Sequence, residues 1–251
     1  MINILLCGAN GKMGNAVQRV AADNEFINIA AGFDINTKSD EFPVYDRLSA
    51  VTEKIDCIID FSHPALVDEI LDYAKNNKIP AVICTTGLSA DQISKLEFYS
   101  KDTPIFFSAN MSIGVNLIID LVCKASKVLE SNFDIEIIEK HHNQKIDAPS
   151  GTALAIADAI SDTVSYSPKY TFDRHSVRKK RDKDEIGIHA IRGGNIVGEH
   201  SVIFAGNDEV IEVKHLATSK EVFAVGAVRA AMFMYGKAPG LYNMSDLVKE
   251  Y

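Results

Sequence analysis

Apolar positions in the first part of the chain fall into short runs at 2–7, 27–33, 55–61, 81–84 and 105–107, interrupted only by Asn3, Asn28, Asp56 and Asp60 among polar side chains. Between them lie segments with helical spacing: 12–22 repeats at Met13, Val17 and Val20, 66–74 is apolar at 66, 67, 70, 71 and 74, and 90–99 continues the series. Continuous apolar runs belong to strands covered on both faces, and strand–helix alternation predicts a parallel, doubly wound sheet. After Ser112 the rhythm changes. A long helix is expected over 114–129, an alternating half-exposed strand over 133–139, and a helix from Ser150. Strands are expected over 186–191, 196–204 and 209–215. Arg192-Gly193-Gly194-Asn195 and Ala205-Gly206-Asn207-Asp208 separate them with hairpin-type punctuation, which predicts a mixed or antiparallel sheet. Segment 220–235 closes the pattern as a helix expected to return to the first domain. An α/β architecture follows, with one domain over 1–112 and 218–251 and a smaller α+β domain over 113–217.

Bulk properties narrow the function classes. The chain has 251 residues, 47% apolar and 24% charged, ordinary for a globular enzyme. Its formal charge of −8 disfavours nucleic acid and anionic membranes as partners. Cys7, Cys57, Cys84 and Cys123 sit in apolar stretches without metal-ligand or redox spacing, as expected of buried free thiols. No apolar run approaches the ~20 residues of a membrane helix, and the first run has no basic leader and stops at Gly8. A cytoplasmic chain is expected.

Gly8-Ala9-Asn10-Gly11-Lys12-Met13-Gly14 lies between the first strand and the first helix. In that setting Gly8 permits a tight turn, Gly11 lets backbone N–H groups approach a pyrophosphate, and Gly14 lets the helix pack closely. The spacing is G-x-x-G-x-x-G, with the middle glycine displaced by one from the common fingerprint, so the turn alone is a weak signal. Lys12 is followed by Met13, which excludes a Walker A loop. Asp34 closes the second strand twenty residues after Gly14, where a carboxylate would bond the ribose hydroxyls of a dinucleotide. The first domain is therefore read as a dinucleotide-binding domain of Rossmann type. An acid at 34 disfavours a 2′-phosphate and nearby Lys38 offsets that, so the choice between NADH and NADPH stays open. Cys84-Thr85-Thr86-Gly87 and Ser108-Ala109-Asn110-Met111 leave later strands at the same edge. Their small residues and hydroxyls suit a nicotinamide and its ribose.

The densest polar stretch runs from Glu139 to Ala153. Pro149, Ser150, Gly151 and Thr152 open a helix there, and the unpaired N–H groups of its first turn face the approach of His141, His142 and Lys145. Such a helix start suits a carboxylate, and the histidines and lysine could supply protons and positive charge. Three rival readings stand beside this one. Adjacent His141 and His142 with Asp147 make a poor metal site, so no metal is expected. Ser150 lacks a nucleophile elbow, and it also fits a plain helix cap.

This segment is similar to the signature E-x-H-H-x-x-K-x-D-A-P-S-G-T-A of the 4-hydroxy-tetrahydrodipicolinate reductase (dihydrodipicolinate reductase) family. The resemblance extends through the Gly8–Gly14 turn, Cys84 to Gly87, Ser108 to Asn116, Ile186 to Gly194, Ile196 to His200, Phe223 to Arg229 and Gly240 to Met244. It implies that His141 is the catalytic acid/base and Lys145 the proton donor. His142, Gly151 and Thr152, with Ser150 at the helix start, would bind a cyclic dicarboxylate. Gly8, Ala9, Asn10, Gly11, Lys12, Met13, Asp34, Cys84, Thr85, Thr86, Ser108, Ala109, Asn110 and Met111 would bind NADH or NADPH. It also implies a homotetramer joined through the sheet of the substrate domain, and a place in diaminopimelate and lysine biosynthesis. Asn10 and Cys84 occupy places often held by glycine, and no arginine follows Asp34. Two other functions remain as alternatives: another amino-acid-pathway nicotinamide dehydrogenase, or a nicotinamide-sensing protein without turnover. The basic run from Arg174 to Lys183 is expected to be a solvated excursion.

Overall fold

The computed structural model describes residues 1–250; Tyr251, the end of the expected first domain, lies outside the described residues. The chain divides into two compact units, Met1–Ile113 with Glu221–Tyr251, and Gly114–Lys220.

The first unit carries β1 (Ile2–Cys7), α1 (Lys12–Ala22), β2 (Ile27–Phe33), β3 (Val44–Tyr45), β4 (Cys57–Asp60), α2 (Val67–Asn77), β5 (Ala81–Ile83), α3 (Ala90–Tyr99) and β6 (Pro104–Phe107). After the second unit it resumes with α6 (Glu221–Met234), β12 (Gly240–Tyr242) and α7 (Met244–Lys249). Its seven strands pair in the order β12-β6-β5-β4-β1-β2-β3, every pair parallel. The alternation of β1 explains the two-layer cover. Ile4 and Leu6 face one side, where they join Val17 of α1 and Val228 and Met234 of α6. Leu5 and Cys7 face the other, against Ile70 and Leu71 of α2 and Leu96 of α3. Parallel pairing brings the loops after β1, β2, β4, β5 and β6 to one edge of the sheet, the edge at which such folds bind ligands.

The second unit contains α4 (Ile113–Leu129, its first residue in the other unit), β7 (Asp134–His141), α5 (Gly151–Ser161), β8 (Lys169–Thr171), β9 (Glu185–Arg192), β10 (Gly198–Ala205) and β11 (Val210–Ala217). The order is β11-β10-β7-β9-β8, with β7–β9 and β8–β9 parallel and the other pairs antiparallel. The sheet is mixed. The Arg192–Asn195 turn is not a hairpin: β9 and β10 flank β7, and the connection crosses its carboxyl end. Gly193 N–H donates to the His141 carbonyl at 3.0 Å, and Asn143 N–H to that of Gly194 at 3.2 Å. The turn after β10 does join neighbours in the sheet.

Ile135 and Ile137 of β7 pack with Ile118 and Val122 of α4 and with Ala153, Ile156 and Ile160 of α5. The next two residues on that face, Glu139 and His141, are also buried. Helix cover thus lies on one face, and Glu136, Ile138 and Lys140 alternate onto the other.

Of two local expectations, one is qualified and one corrected. The basic run is exposed over most of its length, as expected, but two of its arginines turn back to the sheet. Arg174 bonds Glu185 (2.6 Å) and Glu136 (2.7 Å). Arg181 bonds Glu136 and Asp134, both at 2.9 Å. Cys123 is only half-buried, whereas Cys7, Cys57 and Cys84 are buried; all four are free.

Candidate active site

In the first unit the glycine turn is built by steric necessity. Gly8 has φ +75, and a Cβ there would lie 2.6 Å from the Phe61 carbonyl oxygen. Gly11 is the N-cap of α1 and supplies no capping side chain, and the first turn holds no acid. The positive end of the helix is thus left to an outside anion. Asp34 is tied to this turn: its Oδ2 accepts from Asn10 N–H at 3.0 Å and its Oδ1 from Asn36 N–H at 2.9 Å. The Asn10 amide donates to the carbonyls of Asn36 and Lys38. Gly11 and Lys12 are exposed, Gly8, Asn10, Met13 and Asp34 half-buried, and Ala9 buried.

The other two loops at this edge are less open than their composition implied. Cys84 and Thr85 are buried, and Thr85 Oγ1 donates to Asp60 Oδ2 at 2.7 Å. Asp60, wholly buried, also accepts from Ser62 N–H at 2.9 Å. Burial pushes its carboxyl above the usual range despite these bonds. Thr86 is exposed, so it and the backbone of the loop are what a ligand would meet. In the third loop Ser108 Oγ donates to the Asn110 carbonyl at 3.2 Å, Ala109 is exposed and Met111 is buried in the core.

In the second unit, His141 ends β7, and His142, on the opposite phase, is half-buried. Lys145 follows one turn later, its N–H donating to the His142 carbonyl at 3.2 Å and its ammonium 2.8 Å from Asp147 Oδ1. The ammonium of Lys145 beside Asp147 holds that carboxyl below the usual range. The Ala148–Pro149 bond is cis. Ser150 then caps α5, its Oγ accepting from Ala153 N–H at 3.2 Å. A Cβ on Gly151 would meet nothing within 4 Å, so the mouth of the helix is open. Asp147, which pairs with Lys145, also accepts from the Gly151 backbone, so Lys145 stands beside the start of α5, whose first turn carries Thr152.

Three residues complete this cluster that sequence reading left without a role. Glu139 is wholly buried, and its Oε2 lies 2.6 Å from His141 Nδ1. Arg192 grips both carboxylate oxygens at 2.7 Å, and Ser150 N–H donates to Oε1 at 2.9 Å. Burial works against the charge on Glu139, yet hydrogen bonds from Arg192, His141 and Ser150 outweigh it and hold the carboxyl below its usual range. His200 Nε2 lies 3.1 Å from Ser150 Oγ, and its ring meets that of His141 edge-on, centroids 5.2 Å apart. Burial, reinforced by His141, pushes His200 down to about 4, so it is neutral at pH 7. Continuing the alternation of Ile135 and Ile137 by four residues would have placed Glu139 and His141 on the core face. Expecting the strand to end at 139 hid this.

Family comparisons identify the family of the chain. The model described as Dihydrodipicolinate reductase, N-terminus, matches residues 2–111, and its C-terminus counterpart matches 114–248. The chain belongs to the dihydrodipicolinate reductase family. It is 52% identical over 250 residues to the 4-hydroxy-tetrahydrodipicolinate reductase of Caldanaerobacter subterraneus subsp. tengcongensis, covering 100% of this chain and 99% of that one. The enzyme of the same name from Clostridium novyi is 48% identical, with 99% of each chain covered. A dipicolinate-bound dihydrodipicolinate reductase from Paenisporosarcina sp. TG-14 superposes with a TM-score of 0.83 at 25% identity, covering 97% of both chains. A diaminopimelate (DAP) dehydrogenase of C. glutamicum reaches a TM-score of 0.56 at 12% identity over 98% of this chain and 95% of its own, which shows a shared fold alone. As a member of the dihydrodipicolinate reductase family the chain is an NAD(P)H-dependent oxidoreductase. Among the described residues no cluster of metal-ligating side chains forms, and no helix is long and apolar enough to cross a membrane.

Proposed function

We propose that this chain reduces 4-hydroxy-tetrahydrodipicolinate to tetrahydrodipicolinate, with loss of water, in diaminopimelate and lysine biosynthesis. The observation that carries the assignment is the buried carboxylate Glu139, which meets both His141 and the backbone at the start of α5, with Lys145 paired to Asp147 on the short loop between them.

The first unit fits a dinucleotide. Side chains at Gly8 or Gly14 would fill the turn, the N-cap of α1 is bare, and Asp34 stands at the end of β2 with its oxygens oriented by two N–H donors. Gly8, Ala9, Asn10, Gly11, Lys12 and Met13 would cradle the pyrophosphate, and Asp34 would bond the ribose. Thr86, the backbone of Cys84 and Thr85, and Ser108 to Met111 would border the nicotinamide. NADH or NADPH supplies a hydride. The residues of the second unit do the rest. Ser150, Gly151, Thr152 and His142 hold the carboxylates of the substrate at the positive end of α5. Loss of the 4-hydroxyl together with a proton from the adjacent carbon releases water and conjugates the imine; hydride addition to the far end of that system drives charge onto nitrogen and the neighbouring carbon, which then takes a proton. The Lys145 ammonium donates that proton, and His141 serves as acid/base. The net change consumes one hydride and one proton and releases one water.

The chain is read as cytoplasmic, and the face of the mixed sheet that carries Glu136, Ile138 and Lys140, opposite the α4 and α5 packing, supports assembly of a homotetramer through it. Sedimentation equilibrium should give four chains per particle, and a monomer at micromolar concentration would overturn the assembly. For the activity, purified protein should oxidise NADH or NADPH only with the condensation product of pyruvate and aspartate semialdehyde. Absence of oxidation with that product, or oxidation with aspartate semialdehyde alone, would remove the assignment.

A further inference from the structure

Glu139 is an acid buried where it cannot touch water, and each of its oxygens has two partners. Oε1 takes Ser150 N–H and Arg192 Nη2, and Oε2 takes Arg192 Nη1 and faces His141 Nδ1. A buried carboxylate is tolerated only when paired and hydrogen-bonded in this way. An ionised carboxylate accepts and never donates, so the nitrogen 2.6 Å from it must carry a proton. We infer that Glu139, clamped by Arg192, is a positioning residue that fixes His141 as its Nδ1–H tautomer and leaves Nε2 to exchange protons with the substrate. This rests on the reading of His141 as acid/base.

The rest of the cluster supports that division of labour. His141 Nε2 faces Gly198 of the neighbouring strand, where a Cβ would lie 3.2 Å away, so the open nitrogen is flanked by a residue with no side chain. Arg192 is itself held: Nη2 also donates to the Asp147 carbonyl at 2.7 Å and Nη1 to the Ile191 carbonyl at 2.8 Å. One guanidinium thus joins Glu139, itself bonded to Ser150 N–H at the start of α5, to the loop carrying Lys145, a fork a lysine could not reproduce. The charged and titratable groups around His141 are few. Glu139 lies on β7, Arg192 on β9, neutral His200 on β10, and Lys145 with Asp147 in the loop; His215 on β11 pairs in register with His200, one strand further away. Glu139 and Arg192 are the two whose charges act on the ring through a shared carboxylate, and they act in opposite senses.

Opposite signs give the test. The ring 15N shifts of the unmodified protein should show that the neutral form of the His141 ring, on the alkaline side of its transition, keeps its proton on Nδ1 and leaves Nε2 bare. Glu139→Gln removes the negative charge, so the midpoint of the His141 titration should fall by about one unit, roughly tenfold in proton affinity. Arg192→Gln removes the positive charge and should raise it by a similar factor, and the acidic limb of kcat/KM should follow in each case. A purely structural role would lower stability in both variants without moving the two midpoints apart. An Nε2–H tautomer in the unmodified protein, or shifts of the same sign, overturns the inference. The ring spectrum needs neither variant to fold nor any turnover. If His141→Gln keeps full kcat while the Nδ1–H tautomer is observed, the acid/base reading fails and the positioning stands.

Discussion

Replacing Lys145 by alanine is expected to lower kcat by about two to four orders of magnitude, the usual worth of a placed proton donor, while KM for NADH stays within about twofold. The ammonium lies on the loop between His142 and the start of α5, and its N–H is fixed to the His142 carbonyl. It stands on the side of the helix that offers N–H groups and dipole to a carboxylate. The dinucleotide turn belongs to the other unit, which is why cofactor affinity should not follow. Stability should hardly change. The Lys145–Asp147 pair has side chains 22% and 58% exposed, and partly solvated pairs contribute about 0–1 kcal/mol. Lys145→Arg keeps the charge but not a proton that can be given up near neutrality, so it should recover substrate binding without recovering kcat. Steady-state kinetics with thermal unfolding as a control separates these effects. An unchanged kcat in the alanine variant would remove Lys145 from proton transfer.

The parts of this fold legible in the sequence are those with repeated physical signals. Five buried parallel strands announced themselves by runs that are apolar except near their ends, because a strand covered on both faces has no regular polar phase. β3, β8 and β12, with 2, 3 and 3 residues, are too short to show any period. The connection from β9 to β10 looked like a hairpin because Gly193 and Gly194 mark a reversal of direction. A reversal does not say which strand lies alongside, and here β7 lies between. The return of Arg181 to the sheet was hidden for a related reason. The acids that bind Arg181 are Asp134 and Glu136, far back in the chain and neighbours only through the sheet.

The site divides in the same way. Tandem His141-His142, Lys145 and the Ser150–Thr152 helix start were visible because they sit within one segment. Strand alternation then explains why the two histidines cannot act alike: His141 turns inward to Glu139, and His142 lies on the other phase. Arg192 and His200 were not legible, since their relation to Glu139 comes from register. His200 stands opposite Glu139 across β7–β10, and Arg192 opposite His141 across β7–β9. Thr85 shows the converse case. Its hydroxyl suited a cofactor by composition, but Asp60 in the adjoining strand already takes it.

Gly14→Ala is expected to raise KM for NADH by at least about tenfold, equivalent to ~1.4 kcal/mol, and to lower Tm by about 4–8 °C. A Cβ at this position would lie 2.2 Å from the Gly8 carbonyl oxygen and 2.3 Å from that of Ala9, with the Ala9 carbonyl carbon at 2.6 Å. All three are backbone atoms, so no rotamer change relieves the clash, and α1 must lift from the turn that precedes it. Alanine is the better helix former by about 1 kcal/mol. Overpacking against rigid neighbours costs about 1–3 kcal/mol and more where backbone must shift, so the clash wins. At this chain length each kcal/mol moves Tm by about 2–4 °C, and a net loss near 2 kcal/mol gives the range stated. The larger consequence is local. Lifting α1 carries its bare N-terminus away from the turn, and with it the N–H groups and dipole that would meet a pyrophosphate. Gly11→Ala provides the comparison, because its Cβ would meet only the Gly8 carbonyl oxygen, at 3.2 Å. Both effects should be smaller there. A lowered Tm with unchanged KM at Gly14 would make the turn a scaffold and place the cofactor elsewhere, whereas no change in either would mean that α1 does not press on the turn at all.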